Sequence, residues 1–441
     1  MAETPTPKSI AIIGASISGL TLACSIIHHF RSMPSSPAPP RLAVFDSRSS
    51  ANLPTGAIML CPNSLRILDA LGVYDDICKD AFIGSTISYL DASLRTTDRY
   101  WFGSTDRWGY PSVRLHRWVL ISKLRALAVA MGVHIEYGCK FESVGEDADG
   151  GLVVRFEGGR RERTNMLVGA DGIHSSVRAS AFPRAQPPKY TGILSVSGFV
   201  TRSALRLPKD VDLELPAIVS GTGANTAFLM INQSHDGEEI MIGVNRIYPQ
   251  ELGKKGYAEL QADIRKLKEM FYGKQGDGWP DVVQSAIENF QDETAYLWPF
   301  YQLPRLDSWV DTTGSVFLVG DAAHAMPPPA GQGANQAVED CWTLALVLAR
   351  LSTEENISTS NALKVWEMAR MKRVDRVSEL NGVLINARLP SEQRKQLNGK
   401  KEVKSEELQL DWLYAALPED EILKWFDRSR EARCANAVLS S

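Results

Sequence analysis

The apolar residues of this chain follow two periods. Toward either end, short β-branched runs are followed by longer apolar stretches at helical spacing; in the middle the alternation shortens to two. Ser9–Ile13 (SIAII) reads as a buried parallel strand and Gly19–Phe30 (GLTLACSIIHHF) as an apolar helix. Between them, Gly14-Ala15-Ser16-Ile17-Ser18-Gly19 makes the turn. A turn of this kind aims the first N–H groups of a helix, and the positive end of its dipole, at a phosphate. The dinucleotide fingerprint G-x-G-x-x-G has a glycine where this chain has Ser16, so a side chain stands at the point of closest approach to a pyrophosphate. A P-loop shares the spacing of Gly14 and Gly19 and the hydroxyl of Thr21, but Leu20 occupies the place of its lysine. On this segment alone, an ordinary strand–turn–helix is the plain alternative. The fingerprint also calls for an acidic residue ending the second strand, to hold ribose hydroxyls. Arg41–Asp46 (RLAVFD) supplies Asp46, delayed by a Pro/Ser stretch, Ser32–Pro40, that reads as an inserted loop.

In the middle of the chain Gly192–Arg202, Thr226–Asn232 and Glu239–Asn245 alternate as strands, the last two joined at Asp236-Gly237, which predicts an antiparallel sheet. Tyr257–Tyr272 returns to a helical period, with Tyr257, Leu260, Ile264, Leu267 and Phe271 on one packing face. After Pro390 a solvated charge run, Arg394–Glu407, precedes a helix start at Pro418–Glu421. The apolar Ile422, Leu423, Trp425 and Phe426 that follow predict a docked helix or a dimer contact.

Composition removes several classes of function. At 441 residues, 44% hydrophobic and 23% charged, the chain resembles an average globular protein with room for more than one domain. A net charge of −4 lacks the basic excess of a nucleic-acid binder. The six cysteines form no C-x-x-C pair and the seven histidines no H-E-x-x-H, so neither a disulfide framework nor a metal site is signalled. Ser9–Ile27 approaches the length of a membrane span, but Gly14, Ser16, Ser18 and Gly19 interrupt it and MAETPTPK before it is a poor signal-peptide start. The expectation is a cytoplasmic protein without a transmembrane segment.

Two further motifs sharpen the picture. Met166–Arg178 (MLVGADGIHSSVR) runs an apolar strand into an Asp-Gly turn. Val316–Glu339 (VFLVGDAAHAMPPPAGQGANQAVE) runs a strand through Gly-Asp and a proline run to a Gly-Gln-Gly turn and a helix. In this order, with Gly14–Gly19 and Asp46, they resemble the single-component FAD-dependent aromatic hydroxylases of the para-hydroxybenzoate hydroxylase type, and more closely the fungal natural-product monooxygenases of that family. The resemblance runs to about residue 385. It implies an α/β fold: a discontinuous Rossmann-like FAD-binding domain (1–181 and 296–385, with 83–110 contributing to the substrate sheet), an inserted mixed or antiparallel β-sheet substrate domain (182–295) and a C-terminal helical tail (386–441).

For the cofactor, the resemblance implies that Gly14, Ser16 and Gly19 hold the ADP half of FAD, with Asp46 on the adenosine ribose. It places Gly56 and Ala57, in Thr55–Gly72, near the flavin and carries over Arg117 from Leu115–Leu120 (LHRWVL) as the arginine reaching FAD. It puts Asp171 between FAD and the incoming nicotinamide, Asp321 at the ribityl chain, and Gly331, Gly333 and Ala334 at the ring edge. The residues support the last point independently: Val338, Cys341, Ala345 and Leu348 predict a helix over Ala334–Arg350, whose N-terminal N–H groups would face the flavin's pyrimidine side. His324 reads as a structural histidine beside the cofactor. Arg202 and Tyr301 are the candidates for orienting the substrate, ahead of Arg206 and His235.

The implied reaction is monooxygenation. NAD(P)H, as co-substrate, reduces FAD, O2 adds at flavin C4a, and the hydroperoxide oxygenates a small electron-rich aromatic or related natural product. Only one dinucleotide fingerprint is present, which matches a family without a separate nicotinamide domain. The alternatives are epoxidation, oxidative dearomatisation or flavin-dependent reduction on the same fold, or a non-catalytic escort protein that keeps the FAD fold. The expected protein is a monomer or homodimer.

Overall fold

A computed structural model describes residues 7–34, 36–50, 52, 56–147, 150–208, 213–221, 227–273, 278–354, 357–387 and 408–439. Its first layer is a five-stranded, wholly parallel sheet in the order Val316–Leu318, Met166–Gly169, Ser9–Ile13, Arg41–Asp46, His134–Tyr137. Ile10, Ile12, Val44, Phe45, Leu167, Val168, Phe317 and Leu318 are buried, as strands covered on both faces must be. The helices Ile17–Ser32 and Gly333–Leu351 pack against each other, and Arg117–Ala130 packs on the first. This is the Rossmann-like α/β arrangement expected from the strand and helix periods.

The second layer is a mixed seven-stranded sheet. Its order is Tyr296–Gln302, Lys189–Thr201, Glu239–Ile247, Ala227–Asn232, Ala217–Ser220, Thr86–Leu90, Thr96–Trp101, antiparallel except between Ala217–Ser220 and Thr86–Leu90. Strand alternation gives it two unlike faces. Val196, Val200, Phe228, Met230, Ile240, Ile242 and Val244 pack against Leu267, Phe271, Val282, Val283 and Ile287 of the covering helices. The opposite face looks toward the parallel sheet, and a three-stranded antiparallel ribbon, Ala57–Leu60, Ser112–His116 and Phe82–Gly84, bridges the two.

Three local expectations change. The strand Tyr296–Gln302, placed by sequence in the second cofactor segment, pairs with Lys189–Thr201 and belongs to the large sheet. The predicted helix over 257–272 is two helices, Gly253–Ala262 and Ile264–Tyr272. Asp263 divides them because its side chain accepts from Lys266 N–H at 3.1 Å and caps the second. The boundary near 385 falls inside one long helix, Thr359–Ala387. Of the tail, 388–407, including the charge run, lies outside the described residues. The rest docks on its own chain: Ile422 and Phe426 are fully buried, and Arg373 donates to the main-chain carbonyls of Trp412 and Leu413 at 2.6 and 2.7 Å.

Candidate functional site

A cleft of about 1280 Å³ opens between the two layers. Gly14, Ser16, Asp46, Gly56, Ala57, Arg117, Asp171, Asp321, Gly331, Gly333 and Ala334 all line it, drawn from six separate stretches of chain.

Gly14 holds φ at +113°, and a Cβ there would lie 2.4 Å from the carbonyl oxygen of Ala170. Only glycine turns the chain so tightly over the neighbouring strand. Ser16 is different: φ −115° and ψ −162° are extended values open to any residue, which is why the middle glycine of the fingerprint can be replaced. Its side chain makes no capping bond, and no acidic residue occupies the first turn of Ile17–Ser32. Gly19 does not line the cleft. A Cβ there would meet the Gly14 carbonyl oxygen at 1.9 Å, so this glycine lets helix and turn touch and is a packing residue, not a cofactor contact.

Asp46 is buried, accepting from Ala15 N–H at 2.8 Å and from Arg48 through its main-chain N–H, Nε and Nη2 at 2.8–3.0 Å. Burial opposes its ionisation, but the bonds from Arg48 and Ala15 outweigh this and hold the carboxyl below its usual range. A ribose hydroxyl reaching Asp46 therefore has to share it with Arg48, a cleft residue that sequence reasoning missed. Asp171 accepts from Ser175 Oγ at 2.5 Å and Ser176 N–H at 2.7 Å, so its carboxylate caps the helix Ser176–Ala181. Burial raises its pKa. Arg178, from the same motif, donates to the carbonyls of Ala322, Ala323 and Pro304, which ties the Asp-Gly turn to the Gly-Asp turn.

The helix Gly333–Leu351 also begins at the cleft. Its cap residue Gln332 makes no side-chain cap and its first turn holds no acid. Asn335 fixes the preceding turn: its Nδ2 donates to the carbonyls of Gly331 at 2.6 Å and Met59 at 2.9 Å, while its Oδ1 accepts from Cys61 N–H at 2.8 Å and from the Ser64 hydroxyl. Behind it lies an ionic network whose carboxylates and Arg370 are fully buried. Asp340 accepts from Gly320 N–H at 2.9 Å and Arg370 Nε at 2.8 Å and pairs with His324 Nε2 at 2.6 Å. Glu339 accepts from Arg370 Nη1 at 2.5 Å, Arg373 Nε at 2.6 Å and Asn63 Nδ2 at 2.6 Å. His324 is thus held behind the cleft by Asp340 and does not line it. Only folding brings this network together, so sequence spacing carried no sign of Arg370 or Arg373.

Neither substrate candidate reaches the cleft. On Lys189–Thr201 the cleft-facing residues are Ser195, Ser197 and Phe199. Arg202 has the wrong parity and lies past the strand's end, its N–H donating to the Glu238 carbonyl at 2.8 Å. On the next strand Tyr296, Trp298 and Phe300 line the cleft, and Tyr301 falls on the other face, where its hydroxyl donates to Glu251 at 2.6 Å. Of the weaker candidates, Arg206 pairs with Glu288 at 2.6 Å and His235 Nδ1 lies 3.0 Å from the Ala81 carbonyl. Once the cleft-facing side of each strand is known, parity points to Phe199, Met241, Tyr296, Trp298 and Phe300.

The cofactor-side residues fit FAD. Two helix N-termini without capping side chains or acids open on one cleft, suited to a pyrophosphate and to a polar ring edge carrying negative charge. Arg117 presents a buried Nε with no partner, and Asp321 is exposed into the space.

A family model for an FAD binding domain matches residues 309–379. The chain is 27% identical over 392 residues to the FAD-dependent monooxygenase OpS4 of Beauveria bassiana, covering 86% of this chain and 85% of that one. It is 27% identical over 387 residues to the 3-amino-4-hydroxybenzoate 2-monooxygenase PtnB3 of Streptomyces platensis, covering 85% and 87%. The fold matches the crystal structure of CtdE in complex with FAD and a substrate, with a TM-score of 0.74 and 17% identity, covering 97% of this chain and 99% of that one. Among the described residues no helix is long and apolar enough to cross a membrane and no cluster suits a metal ion.

Proposed function

We propose that this chain is an FAD-dependent monooxygenase of the aromatic hydroxylase type, whose cleft binds FAD along the parallel sheet and oxygenates a small aromatic or related natural product against the seven-stranded sheet. The observation that carries this reading is the cleft itself: two bare helix N-termini on one wall, aromatic side chains on the other. Bound FAD, reduced by NAD(P)H, supplies the activation of O2 and the transfer of one oxygen atom.

The chain's own residues do the rest. Gly14, Ser16 and the N–H groups opening Ile17–Ser32 would receive the pyrophosphate, and Asp46, shared with Arg48, the ribose. Arg117 and Asp321 would hold the middle of the cofactor, and the turn Gly331–Ala334 the ring edge. The N-terminal N–H groups of Gly333–Leu351 would stabilise negative charge there without reorganising, because Asn335 already holds that turn in place. Phe102, Phe199, Tyr296, Trp298 and Phe300 exclude water and offer flat apolar surface to a ring. We read the chain as one discontinuous cofactor unit with the seven-stranded sheet inserted as its substrate unit, a division supported by the separate cores on the two sheets.

The test is stoichiometry. The purified protein is expected to carry FAD and, with its substrate, to consume NAD(P)H, O2 and substrate in equal amounts. Oxygen uptake that yields only peroxide with every substrate, or a product without added oxygen, would sink the monooxygenase reading.

A further inference from the structure

On the substrate wall a single sulfur receives two donors of a kind that ordinarily go to oxygen. Met241, in the strand Glu239–Ile247, lines the cleft and is only part-buried. Arg114, on the ribbon strand Ser112–His116, donates through Nη2 to its thioether at 3.2 Å. The Tyr296 hydroxyl, on the edge strand of the large sheet, donates to the same sulfur at 3.4 Å. Arg114 is itself buried, and its Nε has no partner among the described residues. Burial pushes the guanidinium down to about 10, which leaves it protonated at neutral pH. Met59 and Met326 also line the cleft, but among the described residues no donor reaches their sulfurs.

A thioether is polarisable and a weak acceptor, so neither of these bonds is strong. One added oxygen reverses that. A sulfoxide is polar, with negative charge on an oxygen that a guanidinium and a phenol can both bond. The oxidant comes from the reaction already proposed. Where no substrate is present to receive oxygen, the hydride of NAD(P)H and one proton from water convert O2 to hydrogen peroxide inside the cleft.

We propose that Met241 is a site of oxidation by peroxide formed in the cleft, its sulfoxide held by Arg114 and Tyr296. The inference rests on the monooxygenase reading for the source of the peroxide. The sulfur lone pair takes one peroxide oxygen as the O–O bond breaks, and the proton on that oxygen passes to the departing hydroxide, which leaves as water. Sulfur loses two electrons and the peroxide gains them. The two donors stabilise the charge that develops on both oxygens during this transfer. The new oxygen then stands between the ribbon and the large sheet, so protein that turns over without substrate narrows the space in which substrate lies.

The test uses purified holoenzyme with flavin content measured first. It is run with NAD(P)H in air, without organic substrate and with catalase in the bulk solution, and the methionine-containing peptides are then weighed. Met241 is expected to gain one oxygen at least about tenfold faster than Met368, which is 61% exposed and would react first if the peroxide came from bulk solution. Isotopically heavy O2 should label that oxygen. Arg114→Leu and Tyr296→Phe should each slow the gain several-fold, toward the rate of Met59; should Arg114→Leu fail to fold, Tyr296→Phe carries the comparison. A second arm adds dilute hydrogen peroxide to the same protein without NAD(P)H, and there Met241 should react ahead of Met59 and Met326. A holoenzyme that takes up no O2 with NAD(P)H, Met368 leading Met241 in the first arm, Met59 or Met326 leading it in the second, or an unchanged rate in Tyr296→Phe each overturns the proposal. Protein that binds no flavin would instead overturn the monooxygenase reading, and the added-peroxide arm would still decide on Met241.

Discussion

On the cofactor wall, Asn335, Glu339 and Asp340 are each bonded to at least two other stretches of chain. On the substrate wall, Arg114 and Tyr296 meet a thioether, and Ser195 and Ser197 face each other at 3.5 Å. The contrast separates two tasks. A wall braced by bonds between separate stretches of chain holds backbone N–H groups where a large, invariant cofactor needs them. A wall whose polar groups lack good partners has binding capacity left for a ligand, which then supplies the missing acceptor.

The sharpest way to break this comparison is to disarm the braced wall. Asp340→Ala leaves Arg370, His324 and the Gly320 N–H without their shared acceptor. It is expected to cost about 3 to 5 kcal/mol in urea denaturation and to yield flavin-poor protein. Asn335→Ala should cost about 2 kcal/mol and weaken FAD binding by at least tenfold, read by flavin release on dilution, because the turn at Gly331 loses its tie to Cys61 and Met59. If either variant kept wild-type stability and flavin, the bracing would not be what positions the cofactor.

Acid provides a graded version of the same test. Burial opposes the ionisation of Asp340 and Glu339, but His324 and Arg370 beside the first, and Arg373 and Arg370 beside the second, hold both below the usual carboxylate range. Their folded-state pKa values are depressed, so the contribution to stability is complete above the unfolded values of about 4 and is lost as pH falls through the folded ones. The urea midpoint should fall between about pH 5 and pH 3, and Asp340→Asn should flatten that slope.

The permissive wall should respond less. Ser197→Ala is expected to change stability by about 1 kcal/mol or less, since its one polar neighbour among the described residues is another serine hydroxyl at long range. Smallest of all, Ser16→Gly should keep FAD and shift stability by only a few tenths of a kcal/mol, about what a serine-to-glycine change costs at an N-cap. Loss of flavin in that variant would make the Ser16 hydroxyl a required phosphate ligand.

The parts of the fold and site legible in the sequence are those governed by local rules. Ser9–Ile13 and Arg41–Asp46 have the ends that their apolar runs predict, because a buried parallel strand needs little beyond an apolar run and a turn at each end. Gly14 was legible because a tight turn over a neighbouring strand admits no other residue. Tyr301 and Arg202 were misread because a residue's chemistry does not say which face of a strand it occupies, and a shift of one position reverses the face. Gly19 was assigned to the cofactor because the fingerprint does not distinguish a glycine that touches a ligand from one that lets a helix touch its own turn.

The sequence by itself determined the Rossmann-like α/β fold, the FAD motifs and their order along the chain, since each is written within a few dozen residues. Tertiary structure alone decided which polar groups end up satisfied and which do not. Glu339 and Asp340 are adjacent in the chain, yet Arg370, Arg373, His324 and Asn63 reach them only when three helices and a turn come together. Arg114 is an ordinary residue in an ordinary strand until folding buries it opposite Tyr296 with, among the described residues, a thioether to receive it, because desolvation is a property of the assembled interior and not of the segment.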